Sequence, residues 1–358
     1  MIFHLKSSGG LKRFIDDQKR FNPPRLFSYF FLVSEGSAYG EMDRLKDLIR
    51  LKGTKSMKKK LKLFLDSGAY SAFTKGITID IHEYIAFIKE NTQHIEVYSV
   101  LDSIGDPEAT WKNQKIMERH GLKPIPCYHY GEPETYLKRY VDSYGLIALG
   151  GMVPIEKRDL IPWLDRIFKD YVGDSKGLPK VKVHGFGLTI HELLWRYPWW
   201  SVDSASWVFT GRNGGVFVPR WMGGIYNYQE RPWVVSISEQ SGERKKLEGK
   251  HFNSFSNAEQ QQIIKYIQSK GFELGEESEP RVAPPDYVLK KGERWSDKSK
   301  TKVISVLSIG AKTAYQVRDS LNIQYYLDLM DAYNRVKPWP WAFKTSAVGF
   351  GLGRKVGK

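Results

Sequence analysis

The stretch IEVYSVLDSIGDPEATWKNQKIMERHGLKPIPCYH (95–129) decides the fold. It opens with an apolar run, IEVYSVLD (95–102), that closes on an aspartate. A helix is expected near 107–120, and a second apolar run, KPIPCYH (123–129), closes on a histidine. Near-continuous apolar runs separated by amphipathic helices suit parallel strands buried on both faces. The alternation continues in both directions. Upstream lie LFSYFFLV (26–33), a helix at 41–52, LKLFLD (61–66) and a helix near 80–91. Downstream lie a helix near 132–143, LIALGG (146–151), a helix near 157–170, VKVHGFG (181–187), a short helix near 190–196 and WSVDSA (200–205). These make seven β/α units in order. An open doubly wound sheet and a closed barrel both alternate this way. Seven or eight units favour the barrel, so the expected class is α/β, a (β/α)8 TIM-like barrel.

The chain has 358 residues. A barrel of about 250 residues leaves room for an appendage. The barrel is expected over 1–272, with a late insertion at about 211–250 where Gly, Trp and Tyr cluster. SNAEQQQIIKYIQSKGF (256–272) carries a Ser cap and helical spacing and reads as the last barrel helix. GEESEPRVAPPD (275–286) forms the core of a linker, and 297–336 suggests two helices. Residues 273–358 thus read as a linker plus a small basic helical extension. From Ala332 onward there is no acid, which makes this end a candidate phosphate contact. The glycines of the tail VGFGLGRKVGK follow no strand and open no helix, so no dinucleotide fingerprint is expected.

The net charge of +15 points to a polyanionic partner, with nucleic acid the commonest. Aromatic residues reach 14%, and the 11 tryptophans fit packing better than base stacking on composition alone. The one cysteine, Cys127, excludes an intramolecular disulfide and any multi-cysteine zinc site. No apolar run is long enough to span a membrane, and MIFHLKSSGGLKRF lacks a signal-like apolar stretch. A cytoplasmic protein is expected, in the host cytoplasm if the source is viral.

In a β/α barrel, residues at the C-terminal ends of strands form the active site. That rule selects Asp66, Asp102, His129, Gly150, Gly151, His184 and Asp203. Any one aspartate could simply cap a helix. Three at matching strand ends fit a shared site better. Converging carboxylates bind metal, act as acid/base and nucleophile at a sugar, or hydrogen-bond a polar substrate. Ser67 and Gly68 follow Asp66 and are small enough to let a substrate approach the backbone. Gly150 and Gly151 can present backbone N–H groups to a carbonyl, and His184 with Gly185 forms a similar strand end.

LDSGAYSAF (65–73), LIALGGMVP (146–154) and VHGFGL (183–188) followed by WSVDSASW (200–207) occur in this order. Together they resemble the tRNA-guanine transglycosylase superfamily over about residues 27–210. Their wording, with VLDSIGD, is closer to the phage and bacterial branch that inserts 7-deazaguanines into DNA. The resemblance implies a pentosyltransferase in which Asp203 attacks the sugar C1′ and Asp66 is the general acid/base. It implies that Asp102 grips the amide and amino edge of the base, and that Gly150 and Gly151 donate to its carbonyl. His129 sits where the family has a base-contacting polar residue of another type. The partners implied are double-stranded DNA and a free 7-deazaguanine base, with no cofactor.

The residues agree with that chemistry. Cleaving an N-glycosidic bond builds positive charge on the sugar, which an adjacent carboxylate stabilises and then traps. A second carboxylate manages the proton on the base. One departure stands out. The tRNA enzymes hold a structural zinc with three Cys and one His beyond the nucleophile, and no cysteine occurs there in this chain. No metal is therefore expected, and DNA is favoured over tRNA. A DNA enzyme must extrude its target base, and Trp199, Trp200, Trp207, Trp221 and Tyr226 lie where a wedge could form. Lys55, Lys58, Lys59, Lys60 and Lys62 precede a strand and read as a solvated loop at the far end of the barrel. The alternatives are a transglycosylase acting on RNA, a barrel glycosidase acting on free sugars, and a non-catalytic nucleic-acid-binding barrel. The +15 charge argues against the glycosidase, because neutral sugars gain nothing from such a field.

Overall fold

A computed structural model of the protein describes residues 1–6, 11–33, 41–52, 63–153, 155–238, 249–296 and 302–336. Contacts divide the chain into two compact units. One comprises Met1–Ala205 and the stretch from Met330, and the other is Ser206–Leu329.

The first unit is built on eight parallel strands: β1 (Ile2–Lys6), β2 (Arg25–Ser28), β3 (Leu63–Asp66), β4 (Val97–Tyr98), β5 (Cys127–His129), β6 (Leu146–Gly150), β7 (Lys182–Gly185) and β8 (Ser201–Ser204). Their order is β4-β3-β2-β1-β8-β7-β6-β5. The edge strands β4 and β5 share no ladder. Beyond β4, Ser99 forms an isolated parallel bridge to Ile125, just before β5. There Ile125 N–H donates to Tyr98 O at 2.9 Å, and Val100 N–H donates to Ile125 O at 3.0 Å. The expected α/β class with a parallel sheet and flanking helices is therefore present.

The connecting helices start where the chain supplies caps. Asp80 accepts from the N–H groups of His82 and Glu83 ahead of helix Ile81–Asn91. Asp106 accepts from Ala109 N–H ahead of helix Pro107–Arg119, with proline in the first turn. Leu63, Leu65, Ile85, Ile88 and Met117 belong to the apolar core of this unit.

One reading of the N-terminal part needs correction. LFSYFFLV (26–33) is not one strand: β2 ends at Ser28, and Tyr29–Val33 turns helical. Tyr29, Phe30 and Leu32 are buried in that helix, and a buried helical turn has the same continuous apolar pattern as a buried strand. The strand that completes the set of eight is β1, which pairs with β8 from Ile2↔Ser201 to Leu5↔Ser204.

With β1 in place, nothing after Ala205 is needed to complete the sheet. Helix Asn257–Ser269, with its Ser256–Glu259 capping box, belongs to the second unit and is not a barrel helix. The stretch 211–250 likewise falls in that unit, so the division does not follow the expected boundary at 272/273. The expected linker contributes Arg281–Val282 to a three-stranded antiparallel sheet with Glu293–Trp295 and Val303–Val306. Instead of two helices, this region has the strand Val303–Val306 and one helix, Tyr315–Arg335. The lysine cluster 55–62 and the tail 337–358 lie outside the described residues.

The second unit packs Val216, Val218, Val235, Ile263, Ile267 and Leu321 into its own core. Asn322, fully buried, links its parts. Its Nδ2 donates to Trp207 O at 3.0 Å and Gly215 O at 3.3 Å, and its Oδ1 accepts from Phe217 N–H at 2.9 Å. Asn322→Ala would leave these backbone groups buried without partners. It is expected to lower stability by on the order of 2–3 kcal/mol, read by urea unfolding followed through tryptophan fluorescence.

Candidate active site

The polar strand ends of the first unit meet around one cavity of about 550 Å³. Asp66, Gly68, Asp102, His129, Gly150, Gly151 and Asp203 all line it. Ser67, His184 and Gly185 do not. Ser67 is fully buried, donates its backbone N–H to Ser99 Oγ (3.0 Å) and accepts from Ala69 N–H through its own hydroxyl (3.3 Å). It braces the turn after β3. Gly185 packs against Trp199. His184 acts from beneath the site.

Asp203 is 1% exposed. Burial pushes its carboxyl toward protonation, but His184, Lys6 and the Gly187 N–H outweigh it and hold the pKa below the usual carboxylate range. Gly187 N–H donates to Asp203 Oδ1 at 2.7 Å. Gly187 has φ +63°, and a Cβ there would come within 2.6 Å of a Val153 methyl. Glycine is thus required for the chain to aim this donor. His184 Nε2 stands 3.6 Å from the same oxygen, an electrostatic contact too long for a hydrogen bond. Its Nδ1 lies 2.7 Å from Ser201 Oγ, and its ring is boxed edge-on by Phe64 and Phe186, each at 4.5 Å. Burial lowers the His184 pKa, so the imidazole is neutral. The ionised Asp203 beside Nε2 favours the tautomer that carries its proton there, which leaves Nδ1 to accept from Ser201.

Asp66 ends β3. Burial pushes its carboxyl up to about 6. The Asp203 charge adds to this, while Lys6 and the Gly68 and Ser67 N–H groups oppose it. Two carboxyls on one cavity are thus driven apart, one held ionised and one prone to hold a proton.

Asp102 follows β4. Burial raises its carboxyl to about 7, against the opposing effect of His129. Its Oδ1 is buried with no hydrogen-bond partner, and its Oδ2 lies 3.8 Å from His129 Nε2. Glu132 clamps His129 twice: the backbone N–H of His129 donates to one carboxylate oxygen at 2.9 Å, and Nδ1 meets the other at 3.1 Å. Burial alone would depress the His129 pKa, and the Cys127 sulfur beside Nε2 together with the flanking Glu132 and Asp102 carboxyls raises it. Cys127 Sγ lies 3.5 Å from His129 Nε2, but burial pushes its thiol up to about 12, so it is a neutral neighbour. The His129 ring lies against Gly150, where a Cβ would come within 2.7 Å of Cδ2. Among the described residues, Asp102, Cys127 and His129 form the one group that could hold a metal ion, with ligand atoms within 4.8 Å of one another.

Lys6, Glu132, Tyr70, Phe186 and Gly187 line the cavity without having been selected by the strand-end rule. The run IFHLK was the available signal for Lys6, and Glu132 stands three residues after His129. The expected aromatic wedge needs correction at two positions, because Trp199 and Trp207 are 1% and 2% exposed and belong to the interior. Trp200 lies beneath the Lys182 ammonium, whereas Trp221 is 44% exposed on a hairpin, edge-on to Tyr226. Among the described residues no helix is long and apolar enough to cross a membrane. Set against models of protein families the chain matches none, and no curated protein aligns with it significantly.

The raised Asp66 pKa has a consequence for stability. The folded state holds this proton more tightly than the unfolded chain, whose value lies near 3.8. The stabilisation it contributes is present at acid pH and is lost as the pH rises through about 6. Asp66→Asn is expected to stabilise the protein at pH 8 by on the order of 1–3 kcal/mol and to change little at pH 4. Thermal unfolding at the two pH values checks this, and a loss of stability at pH 8 would contradict it.

Proposed function

We propose that the protein is a transglycosylase that exchanges guanine in DNA for a 7-deazaguanine base. The observation that carries this reading is the gathering, on one cavity, of three carboxyls in unlike environments: Asp203, held ionised, and Asp66 and Asp102, whose burial favours the protonated form. The parallel sheet is read as a (β/α)8 barrel whose seam is the Ser99–Ile125 bridge. That architecture accounts for the gathering of the strand ends around the cavity.

Asp203 attacks C1′ as the bond to the base breaks, forming an aspartyl–sugar ester, and Asp66 passes its proton to the departing guanine. The incoming base then loses a proton to Asp66 and displaces Asp203 from C1′, so the strand is never cut. Asp102 Oδ1 has room to accept from the donor edge of a guanine-like ring, and His129 is a donor for the neighbouring carbonyl. Gly150 and Gly151 supply cavity backbone beside it, and the exposed Tyr70 and the Phe186 ring offer flat faces to a base. These steps call for no cofactor. The net charge of +15 suits a nucleic-acid substrate.

The test is base exchange. The protein is incubated with duplex DNA or tRNA and 7-cyano-7-deazaguanine, and the nucleosides are analysed by mass after digestion. A modified deoxynucleoside is expected, with a loss on the order of 10⁴-fold or more in Asp203→Asn. A modified ribonucleoside would move the substrate to RNA, and full activity in Asp203→Asn would refute the mechanism. With the acid form of Asp66 needed for base departure, kcat/KM for the nucleic acid is expected to fall as the pH rises past about 6.

A further inference from the structure

The cavity holds four carboxyls, Asp66, Asp102, Glu132 and Asp203, against two basic side chains, Lys6 and His129. His129 is engaged by Glu132. Lys6 is different. Its inner-face neighbour two residues earlier, His4, is buried, with its ring 5.4 Å from Phe64 and 6.1 Å from His184. Side chains alternate along a strand, so Lys6 projects from the same face, one pleat nearer the C-terminal rim. There it lines the cavity and is exposed, while Asp203 below it is almost wholly covered.

Among the described residues no carboxylate lies within ion-pair distance of the Lys6 ammonium. Its field nonetheless reaches Asp66 and Asp203 and favours their ionised forms. An ammonium near two acids that touches neither keeps its three N–H donors for something else. A guanine-like base and a deoxyribose carry no anion. The anionic part of a nucleotide is its phosphodiester. Of the two basic side chains on the cavity, His129 is taken up by Glu132, which leaves the Lys6 ammonium to attract that group.

We propose that Lys6 is a phosphate-binding residue, holding a backbone phosphate next to the target nucleotide at the rim of the cavity. The proposal rests on the nucleic-acid reading above. It gives β1 a role in substrate placement: the strand carries the contact that positions the sugar over Asp203.

The test is equilibrium binding of a duplex oligonucleotide across a series of NaCl concentrations. The full chain carrying Asp203→Asn is compared with the same chain also carrying Lys6→Met or Lys6→Arg. Loss of one phosphate contact is expected to make the slope of log K against log salt shallower by about 0.9, with Lys6→Arg restoring it. Thermal unfolding of each variant verifies that it is folded, and if Lys6→Met does not fold, Lys6→Gln takes its place. An unchanged slope would overturn the proposal, as would a shift in the pH profile of exchange with no change in slope, which would make Lys6 a tuner of Asp203 alone. Binding that shows the shallower slope in a protein without exchange activity would refute the proposed reaction and leave the phosphate contact standing. No binding of wild-type protein to any nucleic acid would overturn both.

Discussion

Asp203 carries its charge where charge is costly. A carboxylate taken out of water faces a penalty of several kcal/mol, and without compensation it would simply take up a proton. Compensation comes from three groups carried by two strands, β7 and β1. The turn after β7 bends through Gly187 to aim a backbone N–H at one oxygen. His184, on β7 itself, is held by Ser201 and the Phe64 and Phe186 rings so that its edge faces that oxygen. Lys6, at the end of β1, adds a favourable field without contact. Each of these elements favours the ionised form of the carboxyl against burial. The inner layer of the first unit is thus constrained by a single buried charge.

The other two aspartates lack such support, and their chemistry follows. Asp66 has backbone donors and a distant lysine set against burial and the field of Asp203. Asp102 has one histidine at 3.8 Å and a wholly unpartnered oxygen. Three copies of one residue type therefore take three roles on one cavity. Asp203 is held ionised, while burial favours the protonated form of both Asp66 and Asp102, and Asp102 adds a carboxyl oxygen with no hydrogen-bond partner. A change of environment, not of side chain, does the work.

The strand ends were legible because parallel strands are apolar along their length and turn polar only at the rim. LKLFLD, KPIPCYH and WSVDSA each announce a cavity-lining residue in this way, Asp66, His129 and Asp203. β1 was missed because IFHLK is short, has no helix before it and carries His4 and Lys6 on its inner face, which breaks the apolar signature. The helix Tyr29–Val33 was hidden for the opposite reason, since an unbroken apolar run carries no period to distinguish helix from strand. Ser67 and Gly185 sit at strand ends yet serve packing and turn geometry, which spacing alone does not separate from substrate contact. Chemistry at a sugar is legible in the sequence only through the resemblance of three motifs, and the contrast in protonation between Asp203 and Asp66 is set by burial and neighbours that spacing does not reveal.

The central claim is that Asp203 becomes covalently bonded to a nucleic-acid sugar. The most direct measurement is the intact mass of the protein after incubation with a guanine-containing duplex and rapid denaturation, with no incoming base supplied. The account predicts a species heavier by one DNA strand less a guanine, with the modification mapped to the peptide containing Asp203 and missing from Asp203→Asn. Free guanine released with no such adduct, or an adduct mapped to another residue, would contradict it.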